Sequence, residues 1–230
     1  PDEYGVNDIP LIIQDRNFNQ DGSFSYQTTM MGIVPGQTIL INGTVDPFLP
    51  VNREKIRLRV LNGSNAQNFF LTLDDGSSFL QIASDGGFLP APVSRKELFL
   101  SPGERAEIII DFAGENKRTQ ALVQNQQTLL AFTVTETVVT SEDIPAVLVA
   151  IDDIPVGPDV KTRQFDLEGM GISGTINGKY FDMDRVDEEV ALNETELWTI
   201  RNLGGMMQAG GHPFHVHGTQ FQIVSRDGRN

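Results

Sequence analysis

The sequence predicts an all-β fold. Short runs rich in β-branched residues are bounded by turn residues, turn chemistry recurs every dozen residues or so, and helical patterning is confined to brief turns such as residues 65–68. The strand runs are residues 9–14, 38–41, 55–61 and 107–111. Residues 55–60 alternate polar and apolar, as a strand with one buried face does. Turn pairs stand at Asp21-Gly22, Pro35-Gly36, Asn42-Gly43, Asn62-Gly63, Asp75-Gly76, Asp85-Gly86-Gly87, Pro102-Gly103 and Asn177-Gly178. Their spacing suits an antiparallel sandwich or barrel.

An internal repeat divides the chain. Ile41-Asn42-Gly43 returns as Ile176-Asn177-Gly178, 135 residues on. Residues 54–62 return at 194–202, 140 residues on, and Phe79 returns as Phe221, at an offset of 142. Order is kept while the offset drifts, as loop insertions would cause. The expected organisation is a first β-domain at 1–140, a linker at 141–160, and a second, partial β-domain at 161–230. The linker carries Ile144-Pro145, Asp152-Asp153, Ile154-Pro155 and Gly157-Pro158, a composition typical of exposed connections. The second copy stops just after Asp227-Gly228, and the chain opens on Pro-Asp-Glu-Tyr without an initiator Met or signal peptide. A piece of a longer protein is therefore expected, with unclosed sheet edges that recruit a second copy or the missing segments.

Composition excludes several functions. Seventeen basic against thirty-one acidic residues leave a net charge of −14, which disfavours nucleic acid and favours cations, metal ions included. No apolar run approaches the ~20 residues of a membrane-spanning helix. The 230 residues contain no cysteine, which excludes disulfides, zinc fingers, iron–sulfur clusters and thiol catalysis within this chain.

All three histidines fall in one stretch, His212-Pro213-Phe214-His215-Val216-His217. On a strand, residues two apart face the same way, so His215 and His217 project together, roughly 6–7 Å apart at Cα, while Val216 turns inward. Pro213 keeps its neighbours extended. His212 leaves in another direction. Neutral imidazole is the commonest ligand for copper, zinc and iron, and the paired rings suit two neighbouring ions better than one shared ion. Other metal motifs fail. A cupin needs Glu three or four residues past the pair, where Gln220 and Phe221 stand; Gly218-Thr219-Gln220 breaks the metallo-β-lactamase pattern; and no His-Glu-x-x-His is present.

The stretch from His212 to Gly218 resembles the signature of the multicopper oxidases: laccases, bilirubin oxidases, spore-coat laccases and bacterial cuprous oxidases. The likeness covers most of the chain. Residues 8–15, 36–43, 58–63, 82–87 and 100–105 are similar to that family's middle domain, and residues from about 161 are similar to the start of its third. The resemblance implies two consecutive cupredoxin-like Greek-key barrels, the second incomplete, with copper as cofactor. It also implies export to the periplasm, cell surface or medium. By resemblance His212 would ligate the type 1 copper, His215 the type 2 ion and His217 one of the paired type 3 ions. The implied reaction takes single electrons from phenols, diamines or metal ions and reduces dioxygen to water. Aligning Gly76 on Gly218 puts Phe70, Leu73 and Asp75 opposite the three histidines, so the first barrel is expected to hold no copper.

Departures from the family pattern are equally plain. A type 1 centre needs a thiolate, absent here, and the trinuclear cluster draws histidines from several places whereas this chain offers only His215 and His217. The loop 204–211 places Gly205 where the cuprous-oxidase branch has an acidic residue; Met206 and Met207 follow, as packing residues or soft copper contacts. The fragment alone is expected to be inactive. A copper-free structural or protein-binding relative, and a copper carrier without oxidase activity, are the alternatives. Three further motifs carry less. Residues 169–174 match a dinucleotide fingerprint but lead into strand and turn, not helix. Asn42, Asn62 and Asn193 head glycosylation sequons. The acidic run 182–189 lacks the central Gly of a calcium loop.

Overall fold

The computed structural model describes residues 1–29, 32–114, 118–169, 173–203 and 212–229. Among them are sixteen strands and no α-helix. In chain order they are β1 (Asp8–Arg16), β2 (Thr28–Thr29), β3 (Gly32–Ile33), β4 (Thr38–Ile41), β5 (Phe48–Arg53), β6 (Lys55–Asn62), β7 (Phe69–Leu73) and β8 (Phe79–Ser84). There follow β9 (Gly87–Arg95), β10 (Leu98–Leu100), β11 (Arg105–Asp111), β12 (Thr119–Gln124), β13 (Gln127–Val138), β14 (Lys161–Glu168), β15 (Thr175–Ile176) and β16 (Glu196–Asn202). The chain divides into two compact units, residues 1–27 with 33–150, and residues 28–32 with 151–230.

In the first unit a six-stranded sheet, β4-β1-β6-β11-β8-β9, faces a five-stranded sheet, β10-β7-β12-β13-β5. Leu11, Leu58, Phe79 and Ile108 from one sheet and Leu71, Leu98, Leu122 and Phe132 from the other form a single core. The alternation read in β6 is realised: Ile56, Leu58 and Val60 are buried while Lys55, Arg57 and Arg59 face out. On that outer face Arg59 forks onto Asp8 at 2.7 and 2.6 Å, and this bond holds the Asp8 carboxyl below its ordinary value.

Three expectations are corrected. The pairing is not purely antiparallel: β1 runs parallel to β6, and β5 to β13. Turn spacing shows where a chain reverses, but not which sheet the next strand joins. β5 joins the second sheet, so β6 returns on the far side of β1 from β4. Asn62-Gly63 is not a turn, because β6 runs through Asn62, whose side chain is fully buried. Asn62 donates to the carbonyls of Gln67 (2.8 Å) and Leu100 (2.9 Å) and accepts from Ser64 N–H (2.9 Å). That burial also removes Asn62 from the accessible sequons of the folded chain. Asn42 and Asn177 do form the hairpin turn, with φ of 49° and 52° followed by glycines at 80° and 72°. Residues 65–68 contain a bend, without the helical turn expected there.

The second unit has a three-stranded sheet, β15-β14-β16. It repeats β4-β1-β6 bond for bond. Asn42 accepts from Ile12 N–H (2.8 Å) and donates to Pro10 O (2.9 Å); Asn177 accepts from Asp166 N–H (2.7 Å) and donates to Gln164 O (2.9 Å). Ile13 pairs with Asn62, and Leu167 with Asn202, in matching parallel registers. Gly63 N–H bonds Ile13 O, and Leu203 N–H bonds Leu167 O, both at 2.8 Å. Shared hairpin chemistry alone would not reproduce a parallel register between strands far apart in sequence.

Candidate metal site

β14 and β16 place the partners of the histidine segment. Asn202, the last residue of β16, donates from Nδ2 to the carbonyl of His212 (2.8 Å). Gly169, just past β14, adopts φ 88°, and its carbonyl lies 3.0 Å from Nε2 of His212. A carbonyl oxygen can only accept, so Nε2 carries the proton. The neutral ring then presents Nδ1 as its lone-pair nitrogen, the atom able to bind a metal.

Burial alternates along the segment: His212, Phe214 and Val216 are half-buried, while Pro213, His215 and His217 are exposed. The period of two is that of extended chain, and it separates His212 from the other two histidines as the sequence indicates. The sequence implies a paired strand here; residues 212–225 have no ladder partners among the described residues, and the chain bends at His217-Gly218, where Gly218 adopts φ 79°. Side-chain period fixes which face each residue takes but says nothing about a neighbouring strand. Phe214 supplies the anchor instead. Its ring lies 6.2 Å from Phe165, 6.2 Å from Trp198 at 79°, and 6.5 Å from Phe221.

The His215 and His217 rings meet edge to face, with centroids 4.7 Å apart. They lean together more closely than the Cα spacing suggests. With Val216, Gly218, Thr219 and Gln220 they line an open concavity. Among the described residues no three His, Cys, Asp or Glu side chains converge on a point that could hold a metal. Each histidine can therefore offer one nitrogen, and any further ligand must come from outside this set. Met206 and Met207, with the rest of loop 204–211, lie outside the described residues, as do residues 170–172 of the fingerprint-like stretch.

The repeat also corrects one alignment. Asn202 holds the carbonyl of His212, and Asn62 holds that of Gln67, so Gln67 is the counterpart of His212. Gln67, Phe70 and Thr72 then stand opposite the three histidines, with Phe69 and Leu71 turned inward as Phe214 and Val216 are. The sequence alignment, anchored on Gly76 and Phe79, is displaced here by three residues because the Asp74–Ser78 turn is longer in the first copy. None of Gln67, Phe70 and Thr72 offers an imidazole or thiolate.

Beneath the aromatic anchor lies an ion cluster. Trp198, the only tryptophan, donates from Nε1 to Glu196 (2.7 Å), which also receives Arg163 Nε (2.6 Å) and Lys161 (3.2 Å). The Arg163 hydrogen bond, then that of Trp198, holds the Glu196 carboxyl down to about 2. A carboxyl lowered on folding stabilises fully above its unfolded value of 4.5, and the contribution disappears as pH falls toward about 2. Trp198 fluorescence should therefore stay constant above about pH 5 and change between 4.5 and about 2. Glu196→Gln should remove that transition. If acid titration of the variant leaves it in place, other carboxyls control the unit.

The multicopper oxidase family model matches residues 10–142, and a second multicopper oxidase model matches residues 154–230. Multicopper oxidase mco of Staphylococcus haemolyticus is 40% identical over 99% of this chain and 48% of its own length. Cell division protein FtsP of Yersinia pestis is 38% identical over 99% of this chain and 50% of its own length. A laccase structure from Pediococcus acidilactici gives a TM-score of 0.90 at 34% identity, covering 98% of this chain and 49% of that one. McoA multicopper oxidase from Aquifex aeolicus gives 0.70 at 34% identity, over 77% and 42%. The chain thus spans about half the length of the curated relatives it matches.

Proposed function

Because this chain belongs to the multicopper oxidase family, we propose that it forms part of a copper enzyme that takes electrons singly from phenols, diamines or metal ions and reduces dioxygen to water. In this reading residues 1–140 form a copper-free spacer barrel, 141–160 connect, and 161–230 carry the copper ligands. The carrying observation is the histidine segment: His212 is half-buried with its Nε2 on the Gly169 carbonyl, while His215 and His217 are exposed as a pair. His212 would hold the type 1 copper, His215 the type 2 ion and His217 a type 3 ion. Copper, when bound, supplies one-electron exchange with the reductant and the site of dioxygen reduction. This chain's own contribution is to hold three imidazoles at fixed directions. Phe214 fixes the segment between them, and the Gly169 carbonyl keeps the His212 proton on Nε2. The thiolate must come from elsewhere in the whole protein, since this chain has no cysteine. Copper loading of this kind fits an exported protein, and this chain's net charge of −14 disfavours nucleic acid as a partner.

The likeness to relatives named cell division proteins supports a second reading, a copper-free barrel protein that binds other proteins. The three histidines favour the first, because a binding module has no use for them. A visible spectrum of the whole protein separates the two. Blue, copper-containing protein that takes up oxygen with a phenol supports the oxidase; colourless protein purified without copper after growth in copper overturns it.

The three-stranded sheet of the second unit has β15 and β16 at its edges, and Phe181, Met183 and Leu192 are each more than 85% exposed. Edges and apolar side chains of this kind recruit partners. The isolated chain is expected to self-associate as its concentration rises. Sedimentation as a monomer, with equal hydrogen-exchange protection in both units, would count against this.

A further inference from the structure

We infer that Asn202 is a positioning residue for His212: by holding the His212 carbonyl it keeps the ring where Nε2 donates to Gly169, and so presents Nδ1 to the metal. The inference rests on the copper reading of His212 given above.

Two independent observations support it. The first is the pair of hydrogen bonds at one residue, 2.8 Å to the carbonyl from Asn202 and 3.0 Å from the ring to Gly169. A neutral imidazole chooses between two tautomers by the bond its other nitrogen makes. The ring bond sets the tautomer, and the main-chain bond keeps the ring within reach of it. Pro213, next in the chain, can donate no N–H of its own, so Asn202 is the described side chain that ties the main chain here to β16. The second observation comes from the repeat. Asn62, at the matching register, is fully buried and spans two carbonyls, which explains it as a structural pin. Asn202 is exposed and bonds one carbonyl. A single exposed hydrogen bond adds little to stability. What differs in the second copy is the residue held: a ligand-bearing histidine in place of Gln67.

The test uses the metal-free chain at pH 8, where an ordinary imidazole is neutral. Long-range proton–nitrogen correlation distinguishes protonated from lone-pair ring nitrogens. His212 should show a single pattern, Nε2 protonated and Nδ1 bare. Asn202→Ala should convert it to a mixture of tautomers while leaving His215 and His217 unchanged. Should Asn202→Ala lose the fold, as judged by Trp198 fluorescence, Asn202→Asp decides, since it keeps the shape but cannot donate. An unchanged His212 pattern in the folded variant overturns the inference. In the whole protein, Asn202→Asp should weaken copper retention at the blue site about 10–100-fold, the usual effect of losing a partner that orients a ligand. His212→Ala keeps the two failures apart. If it leaves the blue site intact, the copper reading fails; if it bleaches the site while Asn202→Asp does not, only the positioning role fails.

Discussion

Asn62→Ala is expected to destabilise the first unit by about 3–5 kcal/mol, because three polar groups lose their partner in a place water cannot readily reach. Asn62 is fully buried, and its amide satisfies the carbonyls of Gln67 and Leu100 while accepting from Ser64 N–H. Each buried group left unpaired costs about 1–3 kcal/mol. Set against the roughly 5–15 kcal/mol that hold a domain together, the loss is a large share. Asn62→Asp should fare no better, since a carboxylate cannot donate to two carbonyls. Asn202→Ala should cost under about 1 kcal/mol, as exposed positions do. Urea unfolding followed by far-UV circular dichroism reads the difference. Trp198 fluorescence follows the second unit separately, because the only tryptophan lies there. Equal, small losses for both substitutions would mean that water fills the Asn62 site and that burial does not distinguish the two copies.

The same pair of asparagines shows what a sequence can and cannot disclose. β6 was legible because its apolar residues alternate, and the hairpin turns because Asn-Gly at 42 and 177 meets the positive φ such turns demand. Asn62-Gly63 carries the same letters but lies at the end of a strand, where a core carbonyl decides its role; no local pattern reports that. β9 contains Pro90 and Pro92 and reads poorly as a strand, yet it forms the sheet edge, where a missing N–H costs little. The turn between β12 and β13 uses Asn125 and Gln126 at φ 49° and 69°, without the glycine that normally announces it. At the candidate metal site, three histidines in six residues stand out in the sequence alone. The hydrogen bonds that orient His212 come from the ends of β14 and β16 and leave no local motif. One signal could have found Asn202: the repeat places it opposite Asn62 at an offset of 140. The all-β, cupredoxin-like reading agrees with the multicopper oxidases that the structure resembles.

In the whole protein, replacing both His215 and His217 with Ala should abolish dioxygen reduction, while the same changes in the isolated chain should hardly be felt. Both rings are exposed and make their close contact with each other, so their loss should alter the chain's stability by ~1 kcal/mol or less. On the copper reading, the companion ligands they need are not found among the described residues. This chain has three histidines and no cysteine, and among the described residues no three metal-binding side chains converge. Affinity for copper rises with the number of ligands and the rigidity of their placement, and a single imidazole in water provides neither. The isolated chain should therefore bind copper weakly, show no blue colour and turn over no phenol. The 4.7 Å approach of the two rings defines the competing outcome, a single ion shared between them. Three measurements decide: copper content of the dialysed chain by mass spectrometry, nitrogen couplings in the electron paramagnetic resonance spectrum of added Cu(II), and oxygen uptake by the whole protein and its double variant. Stoichiometric copper retained by the chain with two equivalent nitrogens would assign the pair to one ion instead of two. Undiminished uptake by the variant would remove both histidines from the oxygen chemistry altogether.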